Sequence, residues 1–370
     1  MYFEERAPVD RNELCISAAA SSARFSDFAS KCQGLFPTVA QSTLAKIAPA
    51  ELSRLLTAEG SIQDLQPNSH GPSSFLFSTW DFTQKTRAKL TKMIENWGSV
   101  LCLGCPTLAI TIAQASPDAK IVLVDANERR LNTPGKQFIV NRDISQLSGN
   151  EFKGAFSECV LDPPWYLLDF LWWIWIARRS LSTNGHLIFP LFGSHTRPSA
   201  HQDRQAILRW CQTLGFEIEI FNDLADYTVP SFEGHILKRA GLPVSPWKRA
   251  DIVKARVKRD IEADLRPPQP PSKPFVFQIE HSDILIEVSF DRYDSSNPDL
   301  LLEPIDGFLM KSPSRGELGN KVSNVFTSTG KRAICTRPLE FAHKLFRVSK
   351  GQEREDSLPT ALQALLDNGG

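Results

Sequence analysis

Phe156-Ser157-Glu158-Cys159-Val160-Leu161-Asp162-Pro163-Pro164-Trp165 is the stretch on which the fold turns. Its first six residues read as a buried strand, and from Tyr166 to Ala177 the chain becomes a strongly apolar, helix-like run. An acid at the carboxyl end of a central parallel strand stands where open α/β sheets bind ligands. Two consecutive prolines remove two backbone donors and fix φ, so the loop is stiff and its carbonyls are left to accept hydrogen bonds. Carboxylate, carbonyl and flat aromatic ring then lie within a few residues, a set that suits a planar amino group.

Outward from this strand, strand and helix patterns alternate from Ser99 onward, which predicts a parallel sheet with helices on both faces. Val100 to Gly104 reads as a buried strand, Pro106 to Ala115 as a helix, Lys120 to Asp125 as a second strand, and Lys136 to Val140 as a third. After the apolar run come a strand at His186 to Phe192 and a helix at Ala200 to Leu214. Phe216 to Phe221 and Phe232 to Lys238 read as two closing strands, paired as an antiparallel hairpin at one edge. Upstream, Thr83 is a plausible cap for a helix over residues 83–97.

Two features point to a nucleoside ligand. The turn Gly104-Cys105-Pro106 follows the first strand and lets a ligand approach the backbone near a helix start. Asp125, about twenty residues on at the end of the second strand and beside Ala126 and Asn127, is spaced to accept from ribose hydroxyls.

With Asp162-Pro163-Pro164-Trp165 added, the chain resembles the class I S-adenosylmethionine-dependent methyltransferases. Within them it is similar to the amino-methyltransferases whose fourth motif is an acid or Asn, two prolines and an aromatic, and the Asp-Pro-Pro-Trp form is most similar to adenine-N6 enzymes acting on RNA or DNA. The resemblance covers roughly residues 75–239. It departs from the usual pattern at Leu103-Gly104-Cys105-Pro106-Thr107, where the second and third glycines of the first motif are absent. It implies a seven-stranded, Rossmann-like sheet and S-adenosyl-L-methionine as cofactor, held by Gly104, Cys105, Pro106, Asp125, Ala126, Asn127 and Asp162. It also implies catalysis by the 162–165 motif without a metal: Asp162 and the Pro163 carbonyl accept the two N–H hydrogens of an exocyclic amine, Pro164 stiffens the loop, and Trp165 stacks on the base. A duplex base would first have to be extruded, which favours single-stranded or distorted substrate.

Flanking segments supply candidates for holding substrate. Tyr166 adjoins the motif, and His195 and Arg197 lie in a loop just after the fifth strand. Trp247-Lys248-Arg249-Ala250 opens an expected basic helix with apolar residues Val253, Val257, Ile261 and Leu265 stepping by four, so that Lys248 and Arg249 could contact phosphates. Lys331 and Arg332 belong to a basic stretch near the C-terminus. The aromatic cluster at residues 75–82 is either the packed start of a helix or a lid over the cofactor. The tryptophan-rich run at residues 167–176 is either core or a protein interface.

The expected organisation is a helical N-terminal region (1–70), a methyltransferase domain (75–240), a basic helix with a Pro-rich linker (241–273) and a small α+β appendage (274–370). Lys and Arg number 42 and Asp and Glu also 42, so no global field favours nucleic acid and any such binding must come from local patches. The seven cysteines lack zinc-site spacing and read as reduced structural thiols. No apolar window is long enough for a membrane span, and the first residues lack a signal-peptide core, so a cytoplasmic or nuclear protein that is not secreted is expected. Three functions fit: an adenine methyltransferase on RNA or DNA, a protein lysine methyltransferase, and a non-catalytic methyltransferase-like interaction protein; in any of them the N- or C-terminal region could bind a protein partner or form a homodimer.

Overall fold

The computed structural model describes residues 9–60, 80–126, 137–259, 265–270, 276–281, 284–290, 302–310, 323–352, 359 and 361–366. Seven strands form the main sheet: β1 (Ser99–Leu103), β2 (Lys120–Asp125), β3 (Gln137–Asn141), β4 (Phe156–Leu161), β5 (Leu181–Phe192), β6 (Phe216–Asp226) and β7 (Arg249–Val257). Their spatial order is β3-β2-β1-β4-β5-β7-β6. All pair in parallel except β7, which runs antiparallel between β5 and β6. The seven-stranded α/β architecture expected from the sequence is thus present.

Period-two alternation divides the core between the two faces of the sheet. Leu101, Leu103, Cys159, Leu161, Leu187, Phe189, Val253 and Ala255 point to one side, where α7 (Leu167–Ser180) and α8 (Ala200–Thr213) cover them. Val100, Cys102, Val160, Ile188 and Ile252 point to the other, beneath α5 (Gln84–Lys92) and α6 (Pro106–Ala115). Trp172, Trp173 and Trp175 of α7 are buried, so the tryptophan run is core, and Trp172 Nε1 donates to the Ile144 carbonyl at 3.1 Å. Thr83 caps α5, its hydroxyl accepting from Thr86 N at 3.2 Å.

Two segments depart from the sequence reading. The expected strand at 232–238 is instead the helix α9 (Ser231–Arg239), in which Phe232 and Ile236, one turn apart, bury a common face with Leu237. The expected basic helix from Trp247 is instead β7, which pairs with β6 in place of the proposed hairpin partner. Val253 and Val257 satisfy a step of four, but Val253, Ala255 and Val257 equally satisfy a step of two, and β-branched residues suit the strand.

Helices α1 (Arg11–Ala20), α2 (Phe25–Lys31), α3 (Pro37–Ile47) and α4 (Pro49–Glu59) form the N-terminal region. Pro37 and Pro49 begin α3 and α4, where a missing N–H costs nothing. The helices share one apolar core with α9, Leu242, Trp247, Met310 and Phe326. The C-terminal part is a second, five-stranded sheet in the order β10-β12-β11-β9-β8. It comprises β8 (Val276–His281), β9 (Ile284–Ser289), β10 (Leu302–Leu309), β11 (Val325–Thr327) and β12 (Lys331–Cys335), packed by α10 (Pro338–Ser349) and α11 (Ala361–Leu366). β8 and β9 pair as an antiparallel hairpin. Arg239 of α9 donates to the Thr329 and Gly330 carbonyls, tying this sheet to the rest.

Candidate functional site

Register brings two acids and a glycine to one end of the sheet. Leu103 of β1 lies opposite Val124 of β2 and Leu161 of β4. One residue further on, Gly104 therefore lies between Asp125 and Asp162. Gly104 N donates to the Val124 carbonyl at 2.9 Å and Asp162 N to the Leu103 carbonyl at 3.1 Å, so the turn is fixed to both neighbours. β7 is antiparallel, so it begins where the parallel strands end, and this puts Lys248 near Asp162. Tyr227, just past β6, donates its N–H to the Lys248 carbonyl at 3.1 Å. The segment Trp80-Asp81-Phe82 is pinned on top: Phe82 bridges to Tyr227, and Asp81 O accepts from Thr228 N at 2.8 Å.

Asp162 is the electrostatic centre. Its Oδ1 accepts a 2.7 Å hydrogen bond from the Tyr227 hydroxyl. Burial, reinforced by the negative charge of Asp81, pushes its carboxyl up to about 7, against the opposing Tyr227 hydrogen bond and the positive charge of Lys248. Glu233, on the first turn of α9, is also pushed up to about 7 by burial; its two oxygens accept from Trp80 Nε1 and Trp247 Nε1, each at 3.1 Å. Lys248 is buried, and loss of solvent lowers its ammonium to about 8 while Glu233 and Asp162 oppose the shift.

The Lys248 ammonium lies 3.9 Å from the ring centroid of Trp80, 4.0 Å from Trp165 and 4.7 Å from Tyr227. Trp165 is wedged edge-on to Tyr227 at 5.6 Å and tilted against Phe192 at 5.8 Å. A base stacking on Trp165 has to replace Lys248 on the face that it covers.

Several expected substrate contacts lie elsewhere. Lys248 points inward, not from an outer helix face, and Arg249 is paired with Asp226 at 2.8 Å. Lys331 and Arg332 are buried in the C-terminal sheet, with Lys331 Nζ donating to the Ala364 carbonyl at 2.8 Å, so neither presents its charge to a phosphate. Arg197 is paired with Asp203 and lies over the Phe192 ring. His195 is buried near Arg11 and Asp10, and burial lowers its pKa. Tyr166 is exposed beside the motif. Asn127 and residues 75–79 lie outside the described residues, whereas Trp80, Asp81 and Phe82 are both the packed start of α5 and part of the site. Sequence reading missed Tyr227, Glu233 and Trp247; the available signal was an acid among apolar residues in Phe232-Glu233-Gly234, which a strand assignment hid.

The donor set at the ends of β1, β2 and β4 fits S-adenosylmethionine. Asp125 is a mostly buried carboxylate whose placement suits ribose hydroxyls, and Asp162 stands on the other side of Gly104. Gly104 has φ +64°, so the turn needs glycine, but the room beside it is taken by the protein itself: a Cβ there would lie 2.6 Å from the Trp173 ring. Cys105 and Pro106 are buried, with Cys105 Sγ directed at the Val160 carbonyl, so their contribution to a ligand is backbone shape; Ala126 is exposed.

The family model described as "Probable N6-adenine methyltransferase" matches residues 69–225. Among solved structures, the branched-chain polyamine synthase from Thermus thermophilus, in complex with N4-aminopropylspermidine and 5'-methylthioadenosine, has a TM-score of 0.54 and 15% identity, covering 72% of this chain and 92% of that one. The N-methyltransferase NodS from Bradyrhizobium japonicum WM9, in complex with S-adenosyl-L-homocysteine, has a TM-score of 0.33 and 15% identity, covering 47% of this chain and 84% of that one. A SAM-dependent O-methyltransferase from Thermotoga maritima has a TM-score of 0.33 and 18% identity, covering 48% of this chain and 67% of that one. No curated protein matches the chain. The match over residues 69–225 falls on the seven-stranded α/β sheet and its approach, so this part of the chain is similar to the N6-adenine methyltransferase family.

Proposed function

We propose that the chain is an N-methyltransferase whose acceptor nitrogen is received at Asp162 and the Pro163 carbonyl. The observation that carries this is Asp162 itself, a half-buried carboxylate held by Tyr227 at the end of β4, next to the turn at Gly104. S-adenosylmethionine, when bound by Gly104, Asp125 and their neighbours, supplies an electrophilic methyl on a positively charged sulfur. Asp162 accepts an N–H and so directs the nitrogen lone pair away from itself. After the N–C bond forms, the nitrogen carries one proton too many. A carboxylate that titrates near 7 can take that proton without becoming a poor hydrogen-bond acceptor beforehand.

Two acceptors suit this chemistry, each supported by its own observation. Adenine N6 in RNA or DNA is supported by the family description, and stacking of its ring on Trp165 would contribute about 1–3 kcal/mol. An aliphatic amine, such as a lysine side chain, is supported by the alkylammonium already lodged among Trp80, Trp165 and Tyr227. The test is transfer of labelled methyl from S-adenosylmethionine to adenine-containing RNA and DNA oligonucleotides and to a lysine-rich peptide. Transfer to one of these is expected to fall by about 100-fold or more in Asp162→Ala, because alignment is lost. Cofactor binding by calorimetry should weaken more in Asp125→Ala than in Asp162→Ala. Undiminished transfer in Asp162→Ala would remove the proposal.

A further inference from the structure

We propose that Trp80, Trp165 and Tyr227 form a binding cage for a primary alkylammonium group, and that Lys248 fills this cage as an internal occupant which the acceptor amine displaces. The proposal rests on the reading of Asp162 as the acceptor site and narrows the acceptor to an alkyl amine, whether a lysyl side chain or a free polyamine.

Three observations carry it. The first is the occupancy itself: the Lys248 ammonium meets three ring faces within 5 Å and, among the described residues, takes no hydrogen-bond acceptor. Cations are held by ring faces at such distances, and desolvation strengthens the attraction.

The second is that other residues hold the rings in place. Trp80 is oriented by its Nε1 bond to Glu233 and packs edge-on to Phe232 at 5.8 Å. Tyr227 is anchored by its bond to Asp162 and lies against Phe82 at 4.8 Å. Trp165 is fixed by Tyr227 and Phe192. A cage supported in this way does not depend on Lys248 for its shape.

The third is the charge balance. Asp162 and Glu233 face one ammonium, and both act on it electrostatically, so the site keeps a cation rather than a neutral base. Burial lowers the amine's affinity for its proton, as methyl acceptance requires, since only a neutral nitrogen has a lone pair to give. The Lys248 carbonyl is held by Tyr227 N, so its flexible side chain can leave while the backbone stays. A ring cage also tolerates the product, because a methylated ammonium loses N–H groups but keeps its charge.

The experiment uses the full chain and n-butylamine, which reproduces the lysine side chain, with spermidine, N-acetyl-lysine amide and adenosine in parallel. By calorimetry, Lys248→Met should bind butylammonium at least about tenfold more tightly than wild type, as expected when an internal competitor is removed. Adding Trp165→Ala should abolish the gain. Spermidine binding more tightly than the lysine amide would identify a free polyamine, and the reverse a lysyl side chain. In wild type, amine acylation followed by mass spectrometry should find Lys248 protected alone and several-fold more reactive once butylamine is present, a readout that needs no variant to fold. Unchanged affinity in Lys248→Met, or Lys248 protection that butylamine does not alter, overturns the proposal. Binding of butylammonium without methyl transfer to any amine, peptide or oligonucleotide would support the cage while removing the N-methyltransferase reading. Methyl transfer to an adenine oligonucleotide by an enzyme that ignores butylamine would do the opposite.

Discussion

The hydrogen bond from Tyr227 to Asp162 decides how the carboxyl behaves near neutral pH. Burial alone favours the protonated form, and the phenol opposes it by donating to the charged form. Removing the phenol in Tyr227→Phe therefore raises the Asp162 pKa further. If the carboxylate is the working form, activity requires a pH above that value, so the acidic limb of the kcat/KM profile should move to higher pH in Tyr227→Phe. Activity at high pH should be largely retained, because the ring still packs on Phe82 and Trp165. A limb that stays in place would show that Asp162 is not the titrating group. The reverse influence is also present: burial, and after it the charge of Asp162, pushes the Tyr227 phenol well up from its ordinary range, which keeps it a donor.

At the scale of elements, the turn after β1 is set by α7. Gly104 combines φ +64° with the Trp173 ring at 2.6 Å from where a Cβ would stand, and the Asp162 carbonyl lies at 3.4 Å. Gly104→Ala is expected to cost about 1–3 kcal/mol from overpacking, with left-handed backbone strain of similar order in addition. Urea unfolding should register the loss, and Trp173→Leu in the same chain should recover part of it by opening space. Full additivity of the two substitutions would mean that the ring and the turn are independent. The missing glycines of the first motif thus coincide with a turn already braced by a tryptophan. The cysteines around it behave as packing groups: Cys102, Cys105 and Cys159 are buried, the hydrogen bond with Cys102 followed by burial pushes the Cys105 thiol well up, and burial does the same for Cys159.

At the scale of the molecule, the N-terminal helices close the rim of the site. Gln33 and Gly34, with φ +49° and +79°, turn the chain between α2 and α3 so that it touches the loop after β5. A Cβ on Gly193 would lie 2.0 Å from the Gln33 carbonyl oxygen, and one on Gly34 would lie 2.7 Å from Thr196 and 3.8 Å from Trp165. Gly193→Ala must displace backbone and not merely a side chain. It should therefore loosen the N-terminal region and speed amide exchange across α2 and α3, while the strands of the main sheet keep their protection. Equal exchange in variant and wild type would show that the contact does not hold this region.

Local pattern alone determined the alternation from β1 to α8 and the strand that ends in Asp162, because apolar periods of 2 and 3.6 are written residue by residue. The same pattern was ambiguous at Val253 and Val257, which fit either period. Only the pairing of β7 between β5 and β6 decided for a strand and turned Lys248 inward. The charges at the centre were hidden for a related reason. Burial of Asp162, Glu233 and Lys248 depends on Trp80, Trp165, Tyr227 and Trp247, residues that no spacing rule connects along the chain and that the antiparallel return of β7 brings together.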